Sequence, residues 1–255
     1  TGPVVIIEAD GVTFSGFTVQ GGTSLEDGTP GYGVGIIGTS DCVIEDNIIK
    51  ENEVGIGIMG GTVQGMPEPL VSDNNIISGN RIHDNTGSEM SYGVLLMNCS
   101  GTTIKGNVIY DNGVAGMLIW LKELNMDGDG ERDRWGGCTD NWIQDNEIYG
   151  HTLDDMSAGG VLIWNASNNT VSDNNEIYEN IVGVTIIGWT SEEWGFEGEA
   201  HENCISDNNI HDNNPEHGCG IGILGFDENC YDNRIMGNTI ENSGDGIYIS
   251  GGIDT

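Results

Sequence analysis

The chain has 255 residues, of which 41 are Asp or Glu and only 7 are Lys or Arg, so its formal net charge is −34. Binding to nucleic acid or to an anionic membrane surface needs Lys and Arg beside the phosphate groups, and this composition argues against both partners. No apolar run reaches the length of a membrane-spanning helix, so we expect no membrane insertion.

One short unit recurs along the chain. It reads apolar, any residue, Asp or Gly, Asn, any residue, apolar, and after several polar residues it continues as Gly, apolar, any residue, apolar. The clearest copy is 171–186. Its copies begin, in chain order, at Phe14, Ile44, Ile77, Ile104, Ile143, Val171, Ile205 and Ile235. Eight copies of one short unit indicate a solenoid.

Each copy contains short apolar runs with a period of two, broken by Gly, Asn and Asp, and none has a stretch with helical spacing. We therefore predict an all-β fold, a parallel β-helix solenoid of about eight rungs with three short strands per rung. The recurring Asn is expected to stack along the axis as a ladder of amide hydrogen bonds, with Phe17 in its place in the first copy. The whole of 1–255 is predicted to form a single domain, a segment of a larger secreted protein.

These units resemble the right-handed parallel β-helix repeats of the pectate-lyase-like superfamily, particularly the NosD-like, carbohydrate-associated repeats of secreted and archaeal surface proteins. The opening stretch, 2–17, is similar to the middle of such domains. The resemblance implies a right-handed coil. It implies less about activity, because the repeated residues build the coil and not a site.

Insertions interrupt the repeat at 23–32, 60–70, 121–138 and 189–202, and they flank the strand that reads Gly, apolar, any residue, apolar. A solenoid tolerates insertions in its turns, where binding residues concentrate. We therefore expect the outer face of this strand to be the floor of a groove. The residues predicted to point outward there are Gly35, Gly57, Leu95, Leu118, Leu162, Thr185, Gly222 and Tyr248.

Three tryptophans lie at the end of this strand. Trp120 and Trp164 occupy matching positions in adjacent copies, and Trp189 is slightly displaced in the next. Aromatic residues that step along a groove resemble a sugar-stacking platform, because pyranose faces pack on indole rings. The alternative, equally supported by the sequence, is that they cover core edges or stack on one another.

The long loop after Trp120 has the spacing of a calcium-binding loop. Oxygen ligands alternate along it, and glycines allow a sharp turn. The loop resembles the EF-hand and dockerin type, but Gly136 stands where the last carboxylate is expected, so another loop with Glu192, Glu193 or Asp155 would complete the shell. Calcium is the predicted cofactor, and its predicted ligands are Asn125, Asp127, Asp129, Glu131 and Asp133.

The six cysteines fit an oxidising exterior. Cys99 and Cys138 each lie five residues before the first apolar residue of their copies, on consecutive rungs. Since stacked rungs lie about 4.8 Å apart, we predict a disulfide between them. Cys204 and Cys230, which each follow Glu-Asn, are a second predicted pair. The alternative is that all six thiols fill the core.

Three sequons permit N-glycosylation. Their acceptor residues are Asn98, Asn165 and Asn168. Because the chain is rich in Asn, such triplets also arise by chance, and they are weak evidence for modification.

The resemblance also implies what an enzyme on this fold would need. Lyases of the superfamily use calcium to acidify a uronate and a Lys or Arg as base, while hydrolases use clustered aspartates. The residues that would serve are Lys122, Arg132, Arg134, Asp154, Asp155 and His201. The acidic residues of the surrounding loops would repel a polyanionic substrate. The sequence also contains no complete set of catalytic residues.

We therefore favour a non-catalytic function. The predicted protein is an extracellular, calcium-stabilised and disulfide-linked module of a surface-layer or sheath-type protein that contacts glycans. Its expected partners are copies of itself or neighbouring β-helix segments, joined end to end, and polysaccharide. The alternative is a calcium-dependent polysaccharide lyase or glycoside hydrolase that acts in the groove over rungs four to six.

Overall fold

The computed structural model describes residues 2–26, 29–61, 69–87, 91–121, 137–152, 159–190, 198–214, 216, 218–226 and 229–251. Every regular element in these ranges is a β-strand. In the same ranges, no helix is long and apolar enough to cross a membrane.

The strands form three long sheets. Sheet A has nine strands: Val5–Ile7, Tyr32–Ile37, Val54–Met59, Tyr92–Met97, Ala115–Trp120, Gly159–Trp164, Val182–Gly188, Cys219–Gly225 and Asp245–Ser250. Sheet B has eight: Thr13–Ser15, Val43–Glu45, Ile76–Ser78, Thr103–Lys105, Trp142–Gln144, Thr170–Ser172, Cys204–Ser206 and Arg234–Met236. Sheet C has eight: Thr18–Val19, Ile48–Lys50, Arg81–His83, Val108–Tyr110, Glu147–Tyr149, Glu176–Tyr178, Asn209–His211 and Thr239–Glu241.

Neighbouring strands of each sheet pair in parallel, and strands that pair lie one rung apart in the sequence. The chain passes from sheet A to sheet B to sheet C and back to sheet A. Among the described residues it completes eight such rungs, and the strand Asp245–Ser250 follows the eighth. The prediction of an all-β parallel β-helix with three strands per rung is confirmed.

The inward side chains form one continuous apolar column. The middle residue of each short strand faces inward: Ile104 and Ile143 stack in sheet B, and Ile109 and Ile148 stack in sheet C. All four are fully buried. Full burial of such a side chain contributes about 1.5–3 kcal/mol, so this column supplies most of the apolar stabilisation.

Asparagine ladders run along all three corners of the coil, whereas the sequence predicted one. The predicted ladder lies between sheets B and C, where the Phe17 N–H donates to Asn47 Oδ1 at 3.0 Å. We name the ladders by the sheets that they join. The B–C ladder contains Asn47, Asn80, Asn107, Asn146, Asn175, Asn208 and Asn238. The A–B ladder contains Cys42, Asn75, Thr102, Asn141, Asn169, Asn203 and Asn233, and the C–A ladder contains Asn52, Asn85, Asn112, His151, Asn180 and Asn213.

The residue before most ladder members has a left-handed backbone. Asp46, Asp84 and Asp145, for example, have φ values of 55°, 53° and 53°. Among the described residues, the 19 non-glycine residues with positive φ are all Asp, Asn or Glu, and Asp and Asn adopt this conformation at lower cost than other L-residues. The turns therefore place carboxylates on the outside of each corner, which accounts for part of the negative charge.

Two details modify the predicted insertions. The segment 189–202 is not wholly a loop, because Ala200–His201 is a short strand that pairs in parallel with Cys230–Tyr231. At 60–70, Gly61 and Leu70 form an isolated antiparallel bridge, so the two ends of that insertion meet. Most of 121–138 lies outside the described residues.

We predict that Asn146→Ala strongly destabilises the coil. The Asn146 amide makes five hydrogen bonds: Nδ2 donates to Ile104 O, Gln144 O and Asn175 Oδ1, and Oδ1 accepts from Asn107 N and Nδ2. Alanine leaves several of these groups buried and unbonded, which costs about 3–5 kcal/mol in the free energy of unfolding, as urea denaturation would measure.

The matched control is Asn209→Ala. The side chain of Asn209 lies on the outside of sheet C and donates to Glu176 Oε1 at 2.9 Å. We expect its loss to cost less than about 1 kcal/mol. Equal effects of the two substitutions would contradict the importance assigned to the ladder.

Candidate functional site

The outer face of sheet A carries a second apolar cluster. The predicted outward residues stack in register, as Leu95, Leu118 and Leu162 do, and this part of the prediction is confirmed. Each of these three leucines is only 1 % exposed, however. We call the buried set the outer apolar cluster: Tyr32, Val54, Tyr92, Leu95, Ala115, Leu118, Trp120, Leu162 and Ile187. An open groove floor is therefore wrong at these positions, because the outward side chains are large, apolar and packed.

Glycine makes room for part of this packing. A Cβ atom at Gly57 would lie 2.3 Å from the ring of Tyr32, so the ring occupies the space above that glycine. The Tyr32 hydroxyl donates to Met59 Sδ at 2.6 Å. Burial and the nearby Glu53 raise the pKa of Tyr32 above its ordinary value, so the phenol stays neutral. Tyr32 thus covers the outer face of sheet A in the early rungs.

The three predicted tryptophans stack on one another. Trp120 and Trp164 are register partners with ring centroids 5.7 Å apart, and the Trp164 and Trp189 centroids are 5.9 Å apart. Phe226 lies beyond Trp189 at 6.3 Å, with its ring tilted by 56°. Since neighbouring indoles occupy each other's faces, the geometry favours the stacked arrangement among the two alternatives. A sugar platform on these rings stays a prediction.

A longer aromatic column lies on the outside of sheet C, and the sequence analysis missed it. Five rings from five consecutive rungs stack with centroids 4.7–5.1 Å apart and planes within 10° of parallel. They are His83, Tyr110, Tyr149, Tyr178 and His211, which we call the aromatic column. A signal was present in the sequence, because each ring is the last residue of its sheet C strand.

Charged groups surround the ends of this column. The Arg81 Nε donates to Tyr110 Oη at 2.9 Å, and the guanidinium lies 5.2 Å from the Tyr110 ring centroid. The Tyr178 hydroxyl donates to Glu147 at 2.7 Å; partial burial and this bond raise the pKa of Tyr178. Partial burial acts to lower the pKa of His211, but hydrogen bonds to Asp212 and Glu176 outweigh it and raise that pKa. Hydrogen bonds to neighbouring side chains therefore hold the aromatic column in place on the outside of sheet C.

Only one of the six residues suggested for catalysis, His201, lies in the part of the chain that the structure describes. Five of them, Lys122, Arg132, Arg134, Asp154 and Asp155, lie outside the described residues, as do the calcium ligands predicted in 125–133. His201 stacks on Tyr231 with centroids 4.9 Å apart, and its Nδ1 lies 3.1 Å from Glu202 Oε2. Among the described residues, no group of three His, Cys, Asp or Glu side chains has a metal-binding arrangement.

All six cysteines are free thiols in the structure. Cys99 and Cys138 are fully buried neighbours, and their mutual hydrogen bond, followed by burial, raises the pKa of Cys99 well above its usual value. The predicted adjacency of these two residues is therefore present. The disulfide between them stays a prediction.

The second predicted pair, Cys204 and Cys230, is in the wrong register. Cys204 lies opposite Arg234 on the partly exposed side of sheet B, whereas Cys230 is fully buried in the core. The two Glu-Asn-Cys motifs are not equivalent, because the ladder partner of Asn203 is Asn233. An alignment of the two rungs on this shared motif therefore places Cys230 four residues out of register, opposite Cys204 in place of Arg234.

The sequons differ in accessibility. Asn165 is 3 % exposed, with its Oδ1 accepting from Trp189 N and its Nδ2 donating to Trp189 O, and Asn98 is also buried. Both therefore fail as accessible glycosylation acceptors. Asn168 is exposed and donates to Asp140, so glycosylation there stays a prediction.

His151 replaces asparagine in the C–A ladder. It is fully buried; its Nδ1–H donates to Asn180 Oδ1 at 2.8 Å, and its Nε2 accepts from Asn112 Nδ2 at 3.3 Å. Burial lowers the pKa of His151 to about 4, although the bond to Asn180 acts in the opposite direction. The neutral imidazole thus copies the donor and acceptor of the amide that it replaces, which is a structural role and not an acid–base one.

Comparison with known proteins identifies the architecture. The family model described as right handed beta helix region matches residues 3–193. No curated protein sequence matches the chain.

Solved structures with the same architecture include two A-modules of mannuronan C-5 epimerases from Azotobacter vinelandii. The AlgE6 module has a TM-score of 0.60 and 15 % identity, over 96 % of this chain and 65 % of that one. The AlgE4 module has a TM-score of 0.55 and 17 % identity, over 96 % of this chain and 57 % of that one. A mutant of the periplasmic alginate epimerase AlgG has a TM-score of 0.57 and 18 % identity, over 85 % of this chain and 44 % of that one. The chain thus spans between about half and two thirds of their lengths, and the similarity establishes the fold alone.

We predict that His151 makes the coil sensitive to acid. Its pKa falls from 6.5 to about 4 on folding, so the unfolded chain binds the extra proton between these values. The free energy of unfolding therefore has its full value above pH 6.5 and falls by about 3 kcal/mol as the pH drops to about 4. His151→Asn restores the amide and removes this part of the pH dependence, which urea denaturation from pH 4 to pH 8 would measure.

The control is the same substitution at a partly exposed site, His201→Asn. Its urea denaturation is followed over the same pH range. A profile for His151→Asn that runs parallel to that of the wild type would show that His151 does not titrate on unfolding.

Proposed function

Because the chain belongs to the right-handed β-helix family, we propose that it is a rigid, non-catalytic module of the cell exterior that contacts polysaccharide. Membership of this family confirms the resemblance to right-handed parallel β-helix repeats and the right-handed coil that it implied. The partners that we propose are polysaccharide and, end to end, copies of itself or neighbouring β-helix segments.

The observation that carries the scaffold function is the packing of both outer faces. The outer apolar cluster fills the centre of sheet A, and the stacked aromatic column fills the centre of sheet C. With an amide ladder at each corner, side-chain hydrogen bonds join successive rungs in the described part of the coil. Such an arrangement suits a rigid spacer, whereas a catalyst needs converging reactive groups in a cleft.

One observation supports polysaccharide as a partner, and the net charge restricts which kind of polysaccharide we propose. The similar solved structures bear the names of mannuronan and alginate epimerases, which act on a polysaccharide. The net charge of −34 disfavours polyanionic glycans, so we propose neutral ones. We propose an exterior location, where salt or divalent cations would screen this charge.

The experiment that tests this function measures binding and turnover together. The protein is sedimented with insoluble cellulose, xylan and mannan, and incubated with alginate and pectate while reducing ends and unsaturated uronates are measured. We expect co-sedimentation with a neutral polysaccharide and no degradation. Degradation that disappears when Lys122, Arg132 or Asp155 is changed to Ala would overturn the scaffold function in favour of the lyase or hydrolase alternative.

Calcium stabilisation is part of the proposal and rests on the sequence of the 125–133 loop. We predict that Ca²⁺ raises the melting temperature of the wild type but not of the double variant Asp127→Asn, Asp129→Asn. Saturation to 100 times Kd stabilises a folded protein by about 2.7 kcal/mol, which calorimetry detects easily. The control is Asp207→Asn in an exposed turn, which should keep the calcium response. A melting temperature unchanged by Ca²⁺ in the wild type would contradict the proposal.

The Cys99–Cys138 disulfide is the other stabilising element that we propose. The protein isolated from an oxidising compartment should be two hydrogens lighter than its fully reduced form. Substitution of either cysteine by Ala should abolish that difference. A fully reduced mass after such isolation would contradict the disulfide.

A further inference from the structure

A cavity of about 480 Å³ opens at the corner between sheets C and A in rungs three to five. Its lining residues belong to neither the outer apolar cluster nor the aromatic column, although Ser91 precedes Tyr92, and Asp111 and Gly150 follow Tyr110 and Tyr149. Small-molecule sites in proteins have volumes of about 300–1,000 Å³, so the cavity is large enough for one or two sugar residues. The residues that matter for its chemistry are Thr86, Ser91, Asp111, Gly113, Gly150 and Thr152.

Two successive turns beside the cavity carry glycine where other turns carry a side chain. The position after the ladder residue is Gly113 in one turn, whereas the turns on either side carry Thr86 and Thr152 there. The position before the ladder residue is Gly150 in the next turn. The equivalent residue is Asp111 in the preceding turn and Glu179 in the following turn. The two glycines let neighbouring side chains approach closely, because a Cβ atom at Gly113 would lie 2.4 Å from Ser91 Cβ and one at Gly150 would lie 2.3 Å from Asp111 Oδ1. They therefore bring Ser91 and Asp111 into the lining.

The described lining residues are Thr, Ser, Asp, Asn and Gly, and no Lys or Arg is among them. Thr86, Ser91 and Thr152 bring hydroxyl groups, and the carboxylate of Asp111 lies above Gly150, where a Cβ atom would be 2.3 Å from Oδ1. No hydrogen bond to the Asp111 carboxylate is found among the described residues. Partial burial and the nearby Asp84 raise the pKa of Asp111, while His83 acts in the opposite direction. The carboxylate is therefore an acceptor available to a ligand.

These groups fit one class of ligand. A carboxylate accepts two hydrogen bonds from neighbouring hydroxyls of a sugar ring, and the Thr and Ser hydroxyls both donate and accept. An acidic sugar would meet Asp111 and the strongly negative chain without a compensating Lys or Arg in the lining. We propose that this cavity is a binding subsite for a neutral sugar residue of a polysaccharide, held through the Asp111 carboxylate. The inference rests on the proposed function and names its binding site.

The test uses the full chain, three neutral probes (cellohexaose, xylohexaose and mannohexaose) and, for comparison, oligouronates. Saturation-transfer NMR detects binding, and isothermal titration measures the affinity. We expect at least one probe to bind, and Asp111→Asn to weaken it about tenfold or more, because hydrogen bonds to a charged group are the stronger kind. Thr152→Val, which removes one hydroxyl at nearly constant volume, is the second variant and should weaken binding by a smaller factor.

Asp145→Asn is the matched control. Asp145 is an exposed turn residue of the neighbouring corner with a φ of 53°, close to the 49° of Asp111, so the substitution imposes the same backbone demand. It should leave the affinity unchanged. Urea midpoints of all variants, compared with that of the wild type, separate loss of binding from loss of folding.

Three outcomes overturn the subsite. One is binding of a probe that survives both Asp111→Asn and Thr152→Val, which leaves the proposed function intact and places the glycan elsewhere. Another is binding of oligouronates but of no neutral probe. The third is binding of none of the probes at millimolar concentration; if co-sedimentation with a neutral polysaccharide then persists, only the subsite fails, and if it is also absent, both fail.

Discussion

The amide ladders are the constraint on which the rest of the coil depends. Each asparagine holds its own corner and the next rung together: the Asn80 side chain donates to Ile44 O in the preceding rung and to Asn107 Oδ1 in the following one. A buried corner without such a bond would leave backbone N–H groups unpaired, at a cost of about 1–3 kcal/mol each. Since the ladder residue must reach both neighbours, its position in the sequence is fixed while the loops between corners vary in length.

This constraint explains what surrounds the ladders. The residue before each ladder member turns the chain through a left-handed conformation, and Asp or Asn serves there in most rungs. The carboxylates stack outside the corners, so the acidity is in part a by-product of the turn geometry. Between the corners, the strands are free to pack their outward side chains. Leucines and tyrosines do so on sheet A, and the column from His83 to His211 does so on sheet C.

The sequence predicted the fold because the strongest periodic signal comes from the fully buried residues. Isoleucine at Ile104, Ile143 and their equivalents, with Asn at a fixed distance, sets the strand order and the number of rungs. The second and third ladders were missed because Cys42, Thr102 and His151 interrupt their asparagine pattern. These three residues are not Asn, but they occupy positions that are structurally equivalent to the ladder asparagines.

The candidate site was harder to predict for a related reason. Outward residues were assigned to the right face, yet whether Leu118 floors a groove or packs against its neighbours depends on contacts that periodicity does not encode. The Cys204–Cys230 pairing failed because a three-residue motif was given more weight than the ladder register of Asn203. The cavity beside Asp111 was also not found, because its lining residues come from three successive rungs and share no sequence motif.

The direction of the ladder bonds has a consequence for how copies of the coil meet. In the B–C ladder, each Oδ1 accepts from the preceding rung and each Nδ2 donates to the following Oδ1, and the A–B and C–A ladders run the same way. Aligned amide dipoles add along an axis, as peptide dipoles do in a helix. The coil is therefore an electrically polar rod with distinguishable ends. Head-to-tail stacking keeps the dipoles in line, whereas head-to-head stacking opposes them, so any filament of such coils would have an intrinsic direction.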